Sequence, residues 1–313
     1  MALVPNWLFG TSRGRPARTK RRTPRRGRRP NRENQNAINA KLAAAIVAPL
    51  VGLGAAGYGA VALMDGEVRD EHYCYVRPDQ HQAVIFMDNS LEGESEAQLR
   101  DYRTGMLREW ERLPANALIR IASTAKGDDS SFAEPAFTIC KPAQTPAEQE
   151  ALGAPDETAS MLARIHEEAR AEFETAVEQV IADATDQARQ ASDSPIFEQY
   201  QAISRYDGFT GPNRSLLSIS DGVSNSEAGR FCRDRDGLLP FEQFKTLRRY
   251  RDVEPASYDG LEVTLLMVEF GELPAPGAPH CSNEELRDFW PEYFTANGAE
   301  SVDLRRLRYW QQD

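Results

Sequence analysis

Residues 82–88 read QAVIFMD, an apolar run of strand length that ends on a carboxylate, Asp88. Residues 215–221, SLLSISD, repeat this arrangement and end on Asp221. Neither run alternates apolar with charged residues, which is typical of strands buried on both faces of a parallel sheet. The sequence therefore predicts two interior strands whose carboxyl ends carry acidic side chains.

The rest of the chain after residue 82 alternates between strand and helix patterns. Further strands are predicted at 117–122, 136–140, 261–268 and 302–307. Helices are predicted at 94–113, from 155 to about 191, and from a capping box of Ser282 and Glu285 to Gly298. Turn-rich residues between the second and third strands favour an antiparallel pair. This order predicts an α/β fold, a doubly wound and mostly parallel sheet with one antiparallel edge strand.

The charge of the chain is divided sharply along its length. Residues 1–41 contain 12 Lys and Arg residues and one acidic residue, so their net charge is +11. Because the whole chain carries −11, the remaining residues carry −22. Such asymmetry predicts that the two parts face different surroundings.

An uncharged segment separates these two parts. Residues 42–64, LAAAIVAPLVGLGAAGYGAVALM, would form a helix about 34 Å long, enough to cross a hydrocarbon core of about 30 Å. The sequence therefore predicts a retained transmembrane helix, a signal-anchor. The alternatives are a buried soluble helix, a mitochondrial transit peptide, and a signal peptide cleaved after AVA at 60–62, whose n-region of 41 residues would be unusually long.

The basic residues precede this segment and the acidic residues follow it. The positive-inside rule then predicts a single-pass protein of a bacterial inner membrane, with a cytoplasmic N-terminus and a periplasmic C-terminal domain. Residues 1–41 are predicted to be a disordered basic tail that contacts anionic lipid headgroups. Nucleic acid is an unlikely partner, because no aromatic residue interleaves the basic cluster at 18–32. Residues 65–81 are predicted to link the span to a domain at 82–313.

Oxygen-bearing side chains follow the two strands that end on acids. Asp88, Ser90 and Glu92 follow the first strand and Asp221 follows the fourth, while Ser194 lies in the loop after the long helix. Carboxyl ends of neighbouring parallel strands meet at one edge of the sheet, where this fold class binds ligands. Hard oxygen ligands suit Mg²⁺, Mn²⁺ or Ca²⁺. These residues therefore predict a divalent-cation site.

Over about residues 82–307 the sequence resembles a von Willebrand factor A-like (integrin I-like) domain. That family holds a divalent cation through a D-x-S-x-S motif, a Thr on a later loop and an Asp on a later strand. Asp88 and Ser90 match the first two motif positions. Ser194 stands where the Thr is expected, and Asp221 matches the later Asp. Glu92 departs from the motif, because the family has Ser at that position.

The departure at Glu92 leaves two interpretations of the site open. Glu92 could bind the cation directly, or the site could hold no metal, with Asp88 and Asp221 only capping adjacent loops. In the resembled family a partner carboxylate often completes the metal shell, so the resemblance implies recognition of another protein.

The sequence as a whole predicts a protein-binding or scaffolding module of an envelope complex, with other membrane or envelope proteins as partners. Docking is expected at 88–92, the Ser194 loop and 221–225. No enzymatic activity is expected, because the domain at 82–313 has no G-x-S-x-G or phosphate-loop motif, and Ser90 stands where a dehalogenase-like phosphatase needs a second carboxylate. The alternatives are a metal-assisted phosphoester hydrolase using the same ligands, and a structural subunit with an inactive site.

All four cysteines follow the predicted span, where an oxidising compartment would allow disulfides. Cys74 precedes the first strand and Cys140 ends the antiparallel third strand, so both belong at the lower edge of the sheet. Cys232 and Cys281 each follow one of two strands that should be neighbours. These positions predict disulfides Cys74–Cys140 and Cys232–Cys281. The alternatives are four buried thiols and zinc sites that include the nearby histidines, His72 and His280.

Overall fold

A sheet with helices on both faces forms the centre of the described part of the chain. The computed structural model describes residues 69–88, 95–123, 135–188, 194–226, 231, 238–269 and 281–307. The predicted basic tail at 1–41 and the predicted transmembrane helix at 42–64 lie outside these ranges. None of the helices within the described ranges has an apolar stretch that could span a bilayer.

Six strands and seven helices are found in the described ranges. The strands are β1 (Gln82–Met87), β2 (Leu118–Ser123), β3 (Phe137–Cys140), β4 (Arg214–Ser220), β5 (Leu261–Val268) and β6 (Ser301–Leu307). The helices are α1 (Glu96–Arg112), α2 (Pro146–Ala151), α3 (Ala159–Ala188), α4 (Ile196–Ser204), α5 (Phe241–Phe244), α6 (Arg248–Val253) and α7 (Asn283–Ala296).

The strand order across the sheet is β3-β2-β1-β4-β5-β6. All neighbouring strands pair in parallel except β2 and β3, which are antiparallel. The predicted mostly parallel sheet with one antiparallel edge strand is therefore confirmed, as is the expectation that β4 and β5 are neighbours. The chain moves outward from β1 to β3 and then returns to the other side of β1, so the direction reverses between β1 and β4.

Successive side chains of β1 point to opposite faces of the sheet, and both faces are covered, which explains why its sequence is apolar at every interior position. Ala83, Ile85 and Met87 pack in the core beneath α1 and α3. Val84 and Phe86 point to the opposite face, into the core formed with α4, α5, α6 and α7. A strand covered on both faces has no solvent-facing position for a charged residue, so its apolar residues form a continuous run.

The helix ends follow local capping chemistry. The predicted capping box at the start of α7 is confirmed, with the Ser282 hydroxyl accepting from the Glu285 backbone N–H. Helix α1 begins with a second capping box, formed by Ser95 and Gln98. Helix α3 begins at Ala159, four residues later than residue 155, because the Thr158 hydroxyl and carbonyl oxygens accept the first free backbone N–H groups.

Four short helices, α2, α4, α5 and α6, were not predicted. The aromatic residues of α4, α5 and α6 join a dense ring cluster over one face of the sheet, in which Phe197 stacks on Phe244 at 5.1 Å and Phe241 meets Phe289 edge-on at 5.5 Å. These rings are almost completely buried. The cluster fixes α4 and α7 against β4 and β5, next to the edge where the acidic residues lie.

Residues 69–80, which fall in the predicted linker, are attached to the amino edge of the sheet. Cys74 and Cys140 form a disulfide, with their Cα atoms 5.0 Å apart, as predicted. Next to it, the Asn116 side chain accepts from the Tyr75 backbone N–H and donates to the Tyr75 carbonyl oxygen, both at 2.8 Å. Asn116 adopts a φ of 62°, a left-handed conformation that Asn tolerates better than most residues.

Candidate functional site

Asp88 directly follows β1 at the carboxyl edge of the sheet, and it is fully buried. Its backbone N–H donates to the Ile219 carbonyl oxygen at 2.9 Å, which continues the β1–β4 ladder past the end of β1. Since Met87 pairs with Ile219, the next residue of each strand places Ser220 beside Asp88. Doubly wound folds bind ligands where the strand order reverses, and Asp88 lies at that position.

Two serine hydroxyls from different segments converge on one oxygen of Asp88. The Ser194 Oγ donates to Asp88 Oδ2 at 3.1 Å, and the Ser220 Oγ donates to the same oxygen at 3.0 Å. All three residues are buried. A buried carboxylate is costly unless it is hydrogen-bonded, so these two donors stabilise a charged group that packing alone would disfavour.

The loop that carries Ser194 is fixed to the loop that follows β4. Ser194 and Asn225 exchange two backbone hydrogen bonds, of 3.0 Å and 2.8 Å. The fully buried Ser224 adds a third bond, from its hydroxyl to the Ser194 carbonyl oxygen at 3.3 Å. The position of the Ser194 hydroxyl is therefore set by backbone pairing rather than by a free loop.

Asp221 is partly exposed and lies next to the buried pair formed by Asp88 and Ser220. Its Oδ1 accepts the Val223 backbone N–H at 2.8 Å. Burial, together with the negative charge of Asp88, raises the pKa of Asp221 to about 8. Two carboxylates this close disfavour each other's ionisation, so the site binds a proton or a cation more readily than either residue alone would.

Gly222 completes the turn that follows Asp221. It has a φ of +78°, its N–H donates to the Ser220 Oγ at 2.9 Å, and its carbonyl oxygen accepts from Trp290 Nε1 at 2.9 Å. A Cβ atom at this position would lie 2.7 Å from Trp290 Nε1 and 2.8 Å from the Met267 side chain. The turn therefore requires glycine for both its conformation and its packing.

A buried tyrosine supports the site from below. The Tyr200 hydroxyl and the Ser218 hydroxyl are 2.7 Å apart. Burial raises the pKa of Tyr200, which keeps its phenol neutral and able to donate. Tyr200 also packs against Phe86 and Trp290, so the floor beneath Asp88 and Ser220 is rigid and aromatic.

The structure brings together three of the five predicted ligands: Asp88, Ser194 and Asp221. The other two, Ser90 and Glu92, lie outside the described residues. Carboxylate and hydroxyl oxygens are hard ligands that fit Mg²⁺ or Ca²⁺. Within the described ranges, no group of three or more His, Cys, Asp or Glu residues is placed to hold a metal ion. A cation here would therefore depend on the serine hydroxyls as well as the two carboxylates.

Ser220 is a site residue that the sequence analysis missed. Its hydroxyl contacts Asp88 directly, whereas the neighbouring Asp221 was selected for its charge and its match to the resembled family. The register between β1 and β4 decides which of the two residues lies beside Asp88. In the observed register Ala83 pairs with Ser215, so Asp88 falls opposite Ser220. Aligning the two predicted strands, 82–88 and 215–221, by their ends places Asp88 opposite Asp221 instead.

The cysteines do not favour a zinc site. Cys74 is paired with Cys140 and is therefore not available as a thiolate beside His72. Cys281 is also disulfide-bonded. Its predicted partner Cys232 and the neighbouring His280 lie outside the described residues, so the second pairing stays a prediction. Both of the described cysteines suggested as zinc ligands are thus oxidised.

No protein-family model matches this chain, and no curated protein sequence is significantly similar to it. The geometry of the site is therefore the basis for its function. That geometry consists of a buried carboxylate held by two serine hydroxyls, with a second carboxylate of raised pKa beside it. It is a small cluster of carboxylate and hydroxyl oxygens at the carboxyl edge of the sheet.

Proposed function

We propose that residues 82–313 form a von Willebrand A-like module that binds another envelope protein at the carboxyl edge of its sheet, with residues 42–64 as its membrane anchor. The observation that carries this proposal is the convergence of Ser194 and Ser220 on the buried Asp88. Three segments distant in sequence meet there at the reversal point of the strand order. The open sheet with one antiparallel edge strand is what the resemblance implies.

The proposed docking surface consists of residues 88–92, the loop around Ser194, and residues 221–225. Its described parts are held in place by the backbone pairing of Ser194 with Asn225 and by the bond from Trp290 to Gly222. A fixed surface loses little conformational entropy when a partner binds. This rigidity favours recognition over a site that must close around a small substrate.

A divalent cation is part of the proposal. Asp88, Ser194 and Asp221, with Ser90 and Glu92 from the adjoining segment, would hold Mg²⁺ or a similar ion. The cation would neutralise the two neighbouring carboxylates and leave a coordination position for an acidic group of the partner. On the protein side, Ser220 orients Asp88 by donating to Oδ2.

A metal-assisted phosphoester hydrolase is the second candidate, and one observation favours it. Burial and the neighbouring Asp88 raise the pKa of Asp221, so a carboxyl that keeps its proton instead of binding the cation would be available there as a general acid. The two hydroxyls that are bonded to a carboxylate here, those of Ser194 and Ser220, belong to buried residues and share one oxygen of Asp88. Neither is exposed for attack on a substrate, so protein binding remains the function that the geometry supports better.

Cation binding by the purified full-length protein tests the first part of the proposal. We expect calorimetry to detect Mn²⁺ binding to the wild type, and Asp88→Asn to weaken it at least tenfold while keeping the shape of the side chain. Asp259→Asn is the matched control, because Asp259 is exposed and precedes β5 at the opposite edge of the sheet. Equal Mn²⁺ affinity in wild type and Asp88→Asn would exclude the proposed cation site.

Cross-linking in intact cells tests protein binding itself. A photoreactive residue in place of Val223, which is partly exposed beside Asp221, should give specific cross-links to envelope proteins. We expect Asp88→Asn to abolish them and Asp259→Asn to leave them intact. Turnover of phosphoesters that depends on Asp221, with no cross-links, would instead support the hydrolase.

A further inference from the structure

Strand β6 ends the sheet on the side opposite to β3, so one edge of its backbone has no neighbouring strand among the described elements. Most of its residues are exposed, and none is fully buried. The row of unpaired backbone groups on such an edge is a template for pairing with another strand.

The charges on β6 favour one register of pairing with itself. In an antiparallel pair of two copies centred on Leu304, Asp303 of each copy lies directly opposite Arg305 of the other. Both side chains are about half exposed, and in the single chain they contact each other along the strand. Opposite charges placed across an antiparallel pair stabilise it, and like charges destabilise it.

The neighbouring registers place like groups opposite one another. Centring the pair on Asp303 sets two carboxylates face to face, and centring it on Arg305 sets two guanidinium groups face to face. Only the Leu304-centred register gives two opposite-charge pairs and also brings two partly exposed leucines together across the axis. Leu304 already packs at the margin of the core beneath α7, so a second copy would cover its remaining surface.

The neighbouring side chain of Arg306 does not oppose the Leu304-centred register. Arg306 is held by Glu269, which it contacts with two nitrogens, and Glu269 also binds Arg287. These two arginines lower the pKa of Glu269, so the carboxylate stays ionised and keeps Arg306 anchored on its own copy. Arg306 therefore does not need a charged partner from the second copy.

We propose that two copies of this chain associate through their β6 strands, in an antiparallel pair centred on Leu304, to form one continuous twelve-stranded sheet. The occupant of the edge is thus a second copy of the same chain. The interface has twofold symmetry, because each contact between residues of the two copies occurs twice. It lies on an edge strand of the sheet and does not depend on the cation site.

A charge exchange on the full-length protein tests the proposal. Asp303→Arg should weaken self-association roughly tenfold or more, because two attractive pairs become two repulsive ones. Arg305→Asp should do the same. The double variant Asp303→Arg/Arg305→Asp restores both pairs with exchanged positions, so its sedimentation should match that of the wild type. A double variant as monomeric as the single variants would overturn the proposed register.

Cysteine cross-linking gives a second readout that does not rely on charge. In the proposed register two copies of Leu304→Cys face each other at a Cα separation of about 4.5–5.5 Å, within the range that a disulfide bridges. Mild oxidation should therefore produce a covalent dimer. Val302→Cys is the matched control, since Val302 lies opposite Arg306 of the other copy and should not cross-link. Dimers that form without the Leu304→Cys cross-link and survive Asp303→Arg would show that association occurs elsewhere in the chain.

Discussion

At the scale of single residues, Asp88 is a buried charge that the fold surrounds with hydroxyl donors. Ser194 and Ser220 donate to the same carboxylate oxygen. Hydrogen bonds to an ionised group contribute about 1.5–3 kcal/mol each, more than neutral ones. The second carboxylate, Asp221, lies close to Asp88, and repulsion between the two carboxylates adds to burial in raising the pKa of Asp221. Ionisation of both groups at once is therefore disfavoured.

The raised pKa of Asp221 predicts a loss of stability with rising pH. In the unfolded chain this carboxyl ionises near pH 4, but in the folded protein it holds its proton until about pH 8. Its stabilising contribution is therefore fully present below pH 4 and is lost between pH 4 and pH 8. One pKa unit corresponds to about 1.4 kcal/mol. Between pH 5 and pH 8 we expect the free energy of unfolding of the wild type to fall by at least about 1.4 kcal/mol more than that of Asp221→Asn.

Urea unfolding at pH 5 and pH 8 in the presence of a chelator measures this difference. Asn keeps the oxygen that accepts from Val223, so the turn should remain intact. Asp259→Asn serves again as the control and should retain the wild-type pH dependence. Identical pH dependence in wild type and Asp221→Asn would mean that Asp221 is ionised in the folded protein at pH 5.

Substitutions at Gly222 and Gly153 distinguish the cost of backbone strain from the cost of a steric clash. Both have positive φ, +78° and +60°. A Cβ on Gly153 would have Arg77 Nη2 at 3.8 Å as its nearest neighbour, an ordinary contact, whereas a Cβ on Gly222 would collide with Trp290. We expect Gly153→Ala to lower the free energy of unfolding by about 1 kcal/mol and Gly222→Ala by about 2–4 kcal/mol. Chemical denaturation of the two variants compares them, and equal losses would contradict the proposed role of Trp290.

At the scale of elements, the strands were predictable and the short helices were not. Strand β5 was predicted at its observed bounds because its run of apolar residues fits a buried strand and shows no helical spacing. Helices α5 and α6 are four and six residues long, too short for a 3.6-residue period to appear. Helix α4 carries buried residues at helical spacing, but its N-cap residue, Pro195, makes no side-chain capping bond, so the sequence gives no signal for the start of the helix at Ile196.

The candidate site was predictable in its location more than in its composition. The positions of Asp88 and Asp221 at strand ends follow from where the apolar runs stop. Ser220 could be identified only from the register between β1 and β4, because a change of one residue exchanges it with Asp221. Register depends on packing of both sheet faces, which an isolated strand sequence does not specify.

The segment before β1 gains its stability from a covalent link. The disulfide joins Cys74 to Cys140 across a sequence separation of 66 residues. Closing a loop of that length restricts the unfolded chain by about 4 kcal/mol. We expect Cys74→Ala/Cys140→Ala to lose about that much free energy of unfolding, measured by urea denaturation without reductant. Asn116→Ala, which removes the two bonds to Tyr75, should cost less, and a larger loss for Asn116→Ala would reverse this ranking of the two attachments.

At the scale of the whole molecule, charge distribution and disulfide chemistry both support the proposed location of the domain outside the cytoplasm. The positive charge of residues 1–41 supports a cytoplasmic N-terminus. A disulfide between two buried cysteines is typical of an oxidising compartment and uncommon in the cytosol. The two arguments are independent, since one rests on residues before 42 and the other on residues after 64.

Thiol accessibility in membrane-extracted, denatured protein tests this localisation. We expect none of the four cysteines to react with a maleimide before reduction and all four to react after it, if both predicted disulfides form in an oxidising compartment. In Cys74→Ala/Cys140→Ala, reduction should release two thiols. Reaction of Cys74 and Cys140 without reductant would place the domain in a reducing compartment, because a disulfide yields free thiols only on reduction or exchange with another thiol. The positive-inside orientation would then be wrong for this chain, and the partners of the proposed docking surface would be cytoplasmic proteins.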